Sequence, residues 1–254
     1  MKNDLAFIRA ILIVLIIILT SAFVVQDDFL SAQKKYEHVR EAYQKKASLI
    51  SSSLSKVNIS SKELQVILVA FKEDKLLEVF AKNKVDALYK KINTYTICEQ
   101  SGQLGPKRKQ GDNQVPEGFY HIDRFNPASF YYLSLGINYP NASDRKKSKA
   151  AQLGGDIFIH GSCVTIGCLP MTDDKIQEIY LYAIQARQNG QIKIPVYIFP
   201  YKMTSENMEK YALQYKNNPS LLSFWEMLKK GYDKFDKEHK ALVFSITETG
   251  DYIY

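Results

Sequence analysis

Apolar and polar positions change their period several times along this chain. From Ala10 to Val25 there is no period: 16 residues run without a charge. Lys2 and Arg9 precede the run, and Asp27 and Asp28 follow it. The run is long for a signal-peptide core and slightly short for a spanning helix. It predicts an export signal over residues 1–26, cleaved or kept as an apolar helical anchor. The charge asymmetry places the rest of the chain outside the cytoplasm. Over residues 27–47 a helical period sets in, with Phe29, Ala32, Tyr36, Val39 and Tyr43 spaced by three and four. The triplet Ser51–Ser53 and the pair Ser60–Ser61 mark a polar linker. Residues 27–61 therefore read as a helical stalk and linker, and 62–254 as the main domain.

In that domain the apolar runs shorten to strand length. Gln65–Phe71 and Leu76–Phe80, parted by the charged turn Lys72–Lys75, predict a hairpin. Strands follow at Tyr95–Cys98, Phe119–Phe125, Tyr131–Leu135 and Ile157–Ile159. Residues 101–118 carry four glycines and two prolines and read as a long loop, and Asn138–Ala150 as a polar, basic one. After Cys168 the helical period returns: Ile176, Ile179, Tyr180, Ala183 and Ile184 share a face, with Thr172 as N-cap and Asn189-Gly190 as the stop. Ile194–Phe199, broken by Pro195, reads as an edge strand. Helices near 205–216 and 220–230 and a closing hairpin after Leu242 complete the chain. Strands come mostly first and helices mostly later, an α+β arrangement.

Composition narrows the classes. Apolar residues make 46% and charged residues 24% of the 254 positions, ordinary for a globular protein of this size. The net charge is +7, with basic clusters at Lys107–Lys109 and Arg145–Lys149. These are solvated loops or an attraction to an anionic partner; no nucleic-acid motif accompanies them, so nucleic acid is set aside. The only membrane contact expected is through the N-terminal segment. The three cysteines are Cys98, Cys163 and Cys168. In an oxidising compartment an odd count leaves one free or paired between chains. Cys98 with Cys163, and Cys163 with Cys168, are both open pairings; the second would silence Cys168.

The candidate chemistry lies between Gly155 and Asp173. A short apolar strand ends at His160, and Cys168 follows eight residues later, after Gly167 and before a predicted helix. A thiol and an imidazole are the two parts of covalent acyl transfer: the base takes the thiol proton or stabilises the thiolate. The helix start adds N–H groups and a positive dipole end that favour a thiolate and an oxyanion. The N–H groups of Cys168 and its neighbour Gly167 are the oxyanion candidates. From these residues alone, inert buried thiols and a zinc site of His160, Cys163 and Cys168 remain open. A structural zinc normally takes four ligands and no second cluster exists, so no metal or cofactor is expected.

His160-Gly161 followed by Thr165-Ile166-Gly167-Cys168-Leu169-Pro170-Met171 resembles the signature of L,D-transpeptidases with the YkuD domain. Further blocks resemble the YafK-like branch: Gly105–Lys107, Gln114–Tyr120, Leu135–Asn141, and Gly167–Asp173. The likeness spans most of residues 62–235. It implies a β-sandwich-like catalytic core, Cys168 as nucleophile, His160 as its base, and a carbonyl of Gly161 or Ser162 orienting the imidazole. It implies attack on a peptidoglycan stem peptide at the carbonyl of its third, diamino acid residue, through a thioester. An amine or water then takes the acyl group. Pro170 stands where the wider family has arginine, and Ile166 where it often has histidine. Within the branch, release of a protein linked to peptidoglycan, such as a lipoprotein, is the alternative reaction. A wall-binding protein that keeps the fold without catalysis is the alternative of another class.

Overall fold

The computed structural model describes residues 28–254. Its frame is one eight-stranded mixed sheet in the order β3-β2-β1-β8-β4-β5-β6-β7. The strands are β1 (Leu64–Phe71), β2 (Leu76–Asn83), β3 (Lys90–Thr96), β4 (Gly118–Ser129), β5 (Tyr132–Ile137), β6 (Phe158–His160), β7 (Leu169–Pro170) and β8 (Ile194–Phe199). Strand β1 explains why a single sheet suffices. Its residues are apolar on both sides, and neighbours in sequence face opposite ways. Val66, Leu68 and Ala70 enter one core, while Ile67, Val69 and Phe71 enter another.

Helices cover each face. On the first lie α1 (Asp28–Lys34), α2 (Glu37–Ser55) and α4 (Thr172–Gln188); on the second lie α5 (Ser205–Gln214) and α6 (Pro219–Glu238). Trp225 of α6 is fully buried, and a side chain of this kind contributes about 1.5–3 kcal/mol or more by burial. A small hairpin of β9 (Ser245–Ile246) and β10 (Tyr252–Ile253) closes over α6. The α+β class holds, but the expected sandwich is replaced by one sheet with helices on both faces.

Several local expectations change for physical reasons. Ser51–Ser53 lie inside α2 and make no linker. Nor is that helix a free stalk: Val39, Ala42 and Leu54 are buried, and Lys46 pairs with Asp174 and Glu178 of α4. The basic loop contains a further short helix, α3 (Ala142–Lys147), started by an Asn141–Asp144 capping box. Strand β8 is central, lying parallel to β1 and antiparallel to β4. Pro195 is tolerated because pairing with β1 starts one residue later, at Val196. Thr172 is the first helical residue of α4; Met171 holds the N-cap position without a side-chain bond. The stop at Asn189-Gly190 is as read.

The basic clusters are largely used up inside the molecule. Lys107 is buried and paired with Asp112, and Arg108 is paired with the buried Asp144. Lys147 pairs with Asp251, and Lys146 donates to the carbonyl of Thr247. Among the described residues no helix is long and apolar enough to cross a membrane. The segment read as signal or anchor lies outside the described residues.

Candidate active site

The site sits at the edge of the sheet, where strands become very short. His160 ends the three-residue β6 and Cys168 stands just before the two-residue β7. The two strands run parallel, with Ile159 opposite Leu169 and His160 opposite Pro170. That register sets Cys168 level with Phe158, two residues along β6 from His160. The main-chain N–H of Phe158 donates to Cys168 Sγ at 3.4 Å, and the thiol reaches the carbonyl of Asp156 at 3.6 Å.

His160 is buried, and its Nδ1 lies 2.5 Å from the carbonyl oxygen of Gly161. A carbonyl only accepts, so Nδ1 carries the proton and Nε2 keeps the lone pair a base needs. The Tyr131 ring covers the imidazole, with centroids 4.7 Å apart and planes tilted by 33°. Position 161 has to be glycine: a Cβ there would lie 2.6 Å from both Asp173 Oδ1 and the carbonyl oxygen of Tyr131. Asp173 uses that same oxygen to accept the Ser162 N–H at 2.7 Å, so the start of α4 pins the loop behind the histidine.

Thr165 organises the other end of the loop. Its hydroxyl oxygen accepts the N–H of Cys168 at 2.8 Å and of Gly167 at 3.2 Å, and its proton goes to the Cys168 carbonyl. The two N–H groups singled out as oxyanion donors thus converge on one oxygen. Among the hydrogen bonds of the described residues, none joins the Cys168 thiol to the His160 imidazole. Catalytic hydrogen bonds are often formed only with substrate in place.

Cysteine pairing is decided by the fold. Cys98, just past β3, forms a disulfide with Cys163, and Cys168 is free. The Cys163–Cys168 bridge is therefore overturned, and so is the zinc reading, because Cys163 has no thiolate to offer. The disulfide fastens the middle of the 161–168 loop to the sheet, beside the bond from Cys98 N–H to the Pro170 carbonyl.

The imidazole and the thiol both favour their neutral forms. Burial lowers the His160 pKa below its usual 6.5, against the opposing pull of the Gly161 bond. Burial likewise pushes the Cys168 thiol up, with the Phe158 N–H working the other way. The thiolate support expected from the helix start is not delivered. Helix α4 begins four residues past Cys168, with β7 in between.

His160, Gly161, Gly167 and Cys168 are all brought into this corner. The sequence reading missed Tyr131, Thr165 as a loop organiser, and Asp173 as a loop anchor. Only Thr165 carried a signal, since a hydroxyl two and three residues before two free N–H groups is a common local acceptor. Of the remaining histidines, His38 stacks on Tyr132 and bonds its carbonyl, and His239 caps α6.

The family model of the L,D-transpeptidase catalytic domain, YkuD, matches residues 65–198. The chain is 38% identical over 215 residues to "Putative L,D-transpeptidase YafK" of Escherichia coli (strain K12), covering 82% of this chain and 83% of the relative. Among solved structures, the helical cell shape determining protein Pgp2 from Campylobacter jejuni is 20% identical with a TM-score of 0.44, covering 77% of this chain and 80% of that one. Bd1075 of Bdellovibrio bacteriovorus is 22% identical with a TM-score of 0.39, over 69% of this chain and 61% of its own. The matched span runs from within β1 to within β8 and includes both His160 and Cys168, and the chain belongs to the L,D-transpeptidase family with the YkuD catalytic domain.

Proposed function

We propose that this protein is an exported cysteine acyltransferase acting on peptidoglycan stem peptides, with Cys168 as nucleophile and His160 as base. The observation that carries the reading is the Cys98–Cys163 disulfide. It leaves Cys168 as the one free thiol of three, beside a buried histidine whose proton is held on Nδ1. A disulfide in the domain also fits an oxidising compartment, in keeping with the apolar run before it.

The neutral resting state sets the order of events. Nε2 of His160 takes the thiol proton as sulfur attacks the peptide carbonyl, so no standing ion pair is needed. The carbonyl electron pair moves onto oxygen. That oxygen takes the place of the Thr165 hydroxyl against the N–H groups of Cys168 and Gly167. One such donor is worth about 10²–10³ in rate where it has been removed in other enzymes. The carbon–nitrogen bond then breaks, and the leaving amine takes the proton from imidazolium Nε2. A thioester on Cys168 remains. An incoming amine or water attacks it, His160 removes the attacker's proton, and sulfur leaves as thiolate and is reprotonated.

An amine acceptor gives transpeptidation. Water gives hydrolysis, and a donor whose leaving amine belongs to a linked lipoprotein gives protein release. Defined tetrapeptide muropeptides, with and without an attached protein, distinguish these products by mass spectrometry. With wild type the donor is expected to lose its terminal residue and to leave its acyl group as a thioester adduct at position 168. Unchanged turnover by Cys168→Ala would remove the reading.

A further inference from the structure

Arg124 stands in line with the thiol. In the sheet, Arg124 of β4 is opposite Gly136 of β5, Gly136 is opposite Phe158 of β6, and Cys168 is level with Phe158. Side chains opposite one another on neighbouring strands point to the same face. Gly136 leaves its rung of that row bare. A Cβ there would lie 2.8 Å from Arg124 Nε and 3.1 Å from the Phe158 ring. The arginine side chain therefore lies across β5 and ends over Phe158, with its guanidinium carbon 4.9 Å from the ring centroid.

Phe158 and Asp156, two of the groups against that guanidinium, also hydrogen-bond the thiol through their main chains. Phe158 gives its N–H to Cys168 Sγ, and Asp156 gives its carbonyl. The Asp156 carboxylate holds Arg124 Nη1 at 2.7 Å, and Asp123 holds Nε at 3.2 Å. The Arg124 and Asp156 side chains are 44% and 81% exposed. An exposed pair of this kind contributes little and exchanges its partner readily.

We infer that Arg124 is a specificity-determining residue, which binds a free carboxylate on the donor peptide one residue beyond the carbonyl that Cys168 attacks. The inference rests on the proposed role of Cys168. The reach fits. A guanidinium over β6 is about one strand spacing, ~4.8 Å, from the strand that carries the thiol. The next residue of a peptide lies about 3.8 Å beyond the carbonyl under attack. The chemistry fits as well, because the planar guanidinium fork matches a carboxylate with two parallel bonds. Donors that end one residue past the scissile carbonyl are thereby favoured over donors that continue or are amidated.

The test uses the purified full chain and two synthetic tetrapeptides with a diamino acid at position three, one ending in a free carboxylate and one in a carboxamide. Wild type is expected to prefer the carboxylate donor in kcat/KM by about 10- to 100-fold, the range of one charge-assisted contact. Arg124→Gln should remove that preference by slowing the carboxylate donor alone, mainly through KM, and Arg124→Lys should restore part of it. Gly136→Ala, whose new methyl group displaces the arginine from its path, should act in the same direction. Equal use of both donors by wild type, or an equal loss on both in Arg124→Gln, overturns the inference and leaves the role of Cys168 standing. Binding of the two peptides to Cys168→Ala, read by calorimetry, is independent of turnover. Tighter binding of the carboxylate peptide, lost on adding Arg124→Gln, supports the arginine even if the chemistry at Cys168 proves different; equal binding of the two peptides counts against it.

Discussion

Strands β1 and β7 belong to the same sheet and do opposite work. Strand β1 has eight residues, is paired on both sides, and is buried almost throughout. Strand β7 has two residues, pairs only with β6, and lies at the sheet's end beside a loop with exposed Val164 and Ile166. At the centre, position is held by repetition, since each residue is fixed by ladder bonds and by packing on both faces. At the edge there is almost no ladder, so position is held by single devices: a disulfide, a threonine hydroxyl, an aspartate, one glycine and one aromatic ring. A site that must expose a thiol and admit a substrate has to give up the first kind of support and gather the second.

One feature of the centre shows how far its influence reaches. Lys72, just past β1, donates to the carbonyls of Gly105 and Val115 and to Glu117 Oε1. Glu117 also accepts the Gly105 N–H and the Trp225 indole N–H. Both charged groups are almost fully buried. This staple ties the long loop of residues 101–118 to α6, and the same loop brings the Gln114 carbonyl against Gly167.

Centre and edge can each be weakened separately. The largest change in stability should come from the centre. Lys72→Met leaves the Glu117 carboxylate buried without its ion partner, and about 3–5 kcal/mol of folding stability should be lost. Urea unfolding measures it, and a loss below about 1 kcal/mol would show that the staple is dispensable. Next comes the edge's covalent tie. The double variant Cys98→Ser/Cys163→Ser should lose about 2–4 kcal/mol by the same measurement. It should also lower kcat more than Lys72→Met does at equal residual stability, because it frees the loop that carries Cys168 itself. Equal kcat for the two variants would dissolve the distinction between regional supports.

Smaller effects sharpen the picture of the histidine. Burial depresses the His160 pKa, and a base works only when neutral. Activity should therefore persist as pH falls through 6.5, with the acid limb of kcat/KM below that value. An acid limb at or above 6.5 would contradict a buried neutral imidazole. The sign is the same for stability: His160 favours the fold above its ordinary pKa, and that contribution is lost as pH falls through the depressed one. Tyr131→Ala uncovers the ring, so the acid limb should move to higher pH and kcat should fall by about tenfold, as expected when a reacting group loses its fixed orientation. Tyr131→Phe keeps the cover and should keep both. A parallel loss in the two variants with no shift in pH would reduce Tyr131 to packing.

Much of the frame is legible in the residues. The run Val66–Phe71 is apolar at every position and strand-length, and it reads as a strand. His160-Gly161 and Thr165-x-Gly167-Cys168 announce a thiol and an imidazole on one loop, and the wider blocks announce the family. Local signals stop where pairing between distant segments begins. Pro195 argued for an edge strand and stands in a central one, because what matters is which neighbour lacks a bond at that residue. Lys107 and Arg108 looked like surface charge, yet Asp112 and Asp144 absorb them.

The sequence by itself determined the strand and helix periods of the core, the candidate thiol and imidazole with their spacing, and the odd cysteine count. These follow from side-chain chemistry and from repeats of two and 3.6 residues, which are properties of short segments. Only the tertiary structure decided that Cys98 takes Cys163 and leaves Cys168 free, that Tyr131 covers His160, and that Arg124 crosses a bare glycine to stand beside the thiol. Each depends on strand order and register, which are set by the packing of segments tens of residues apart and have no trace in any one of them.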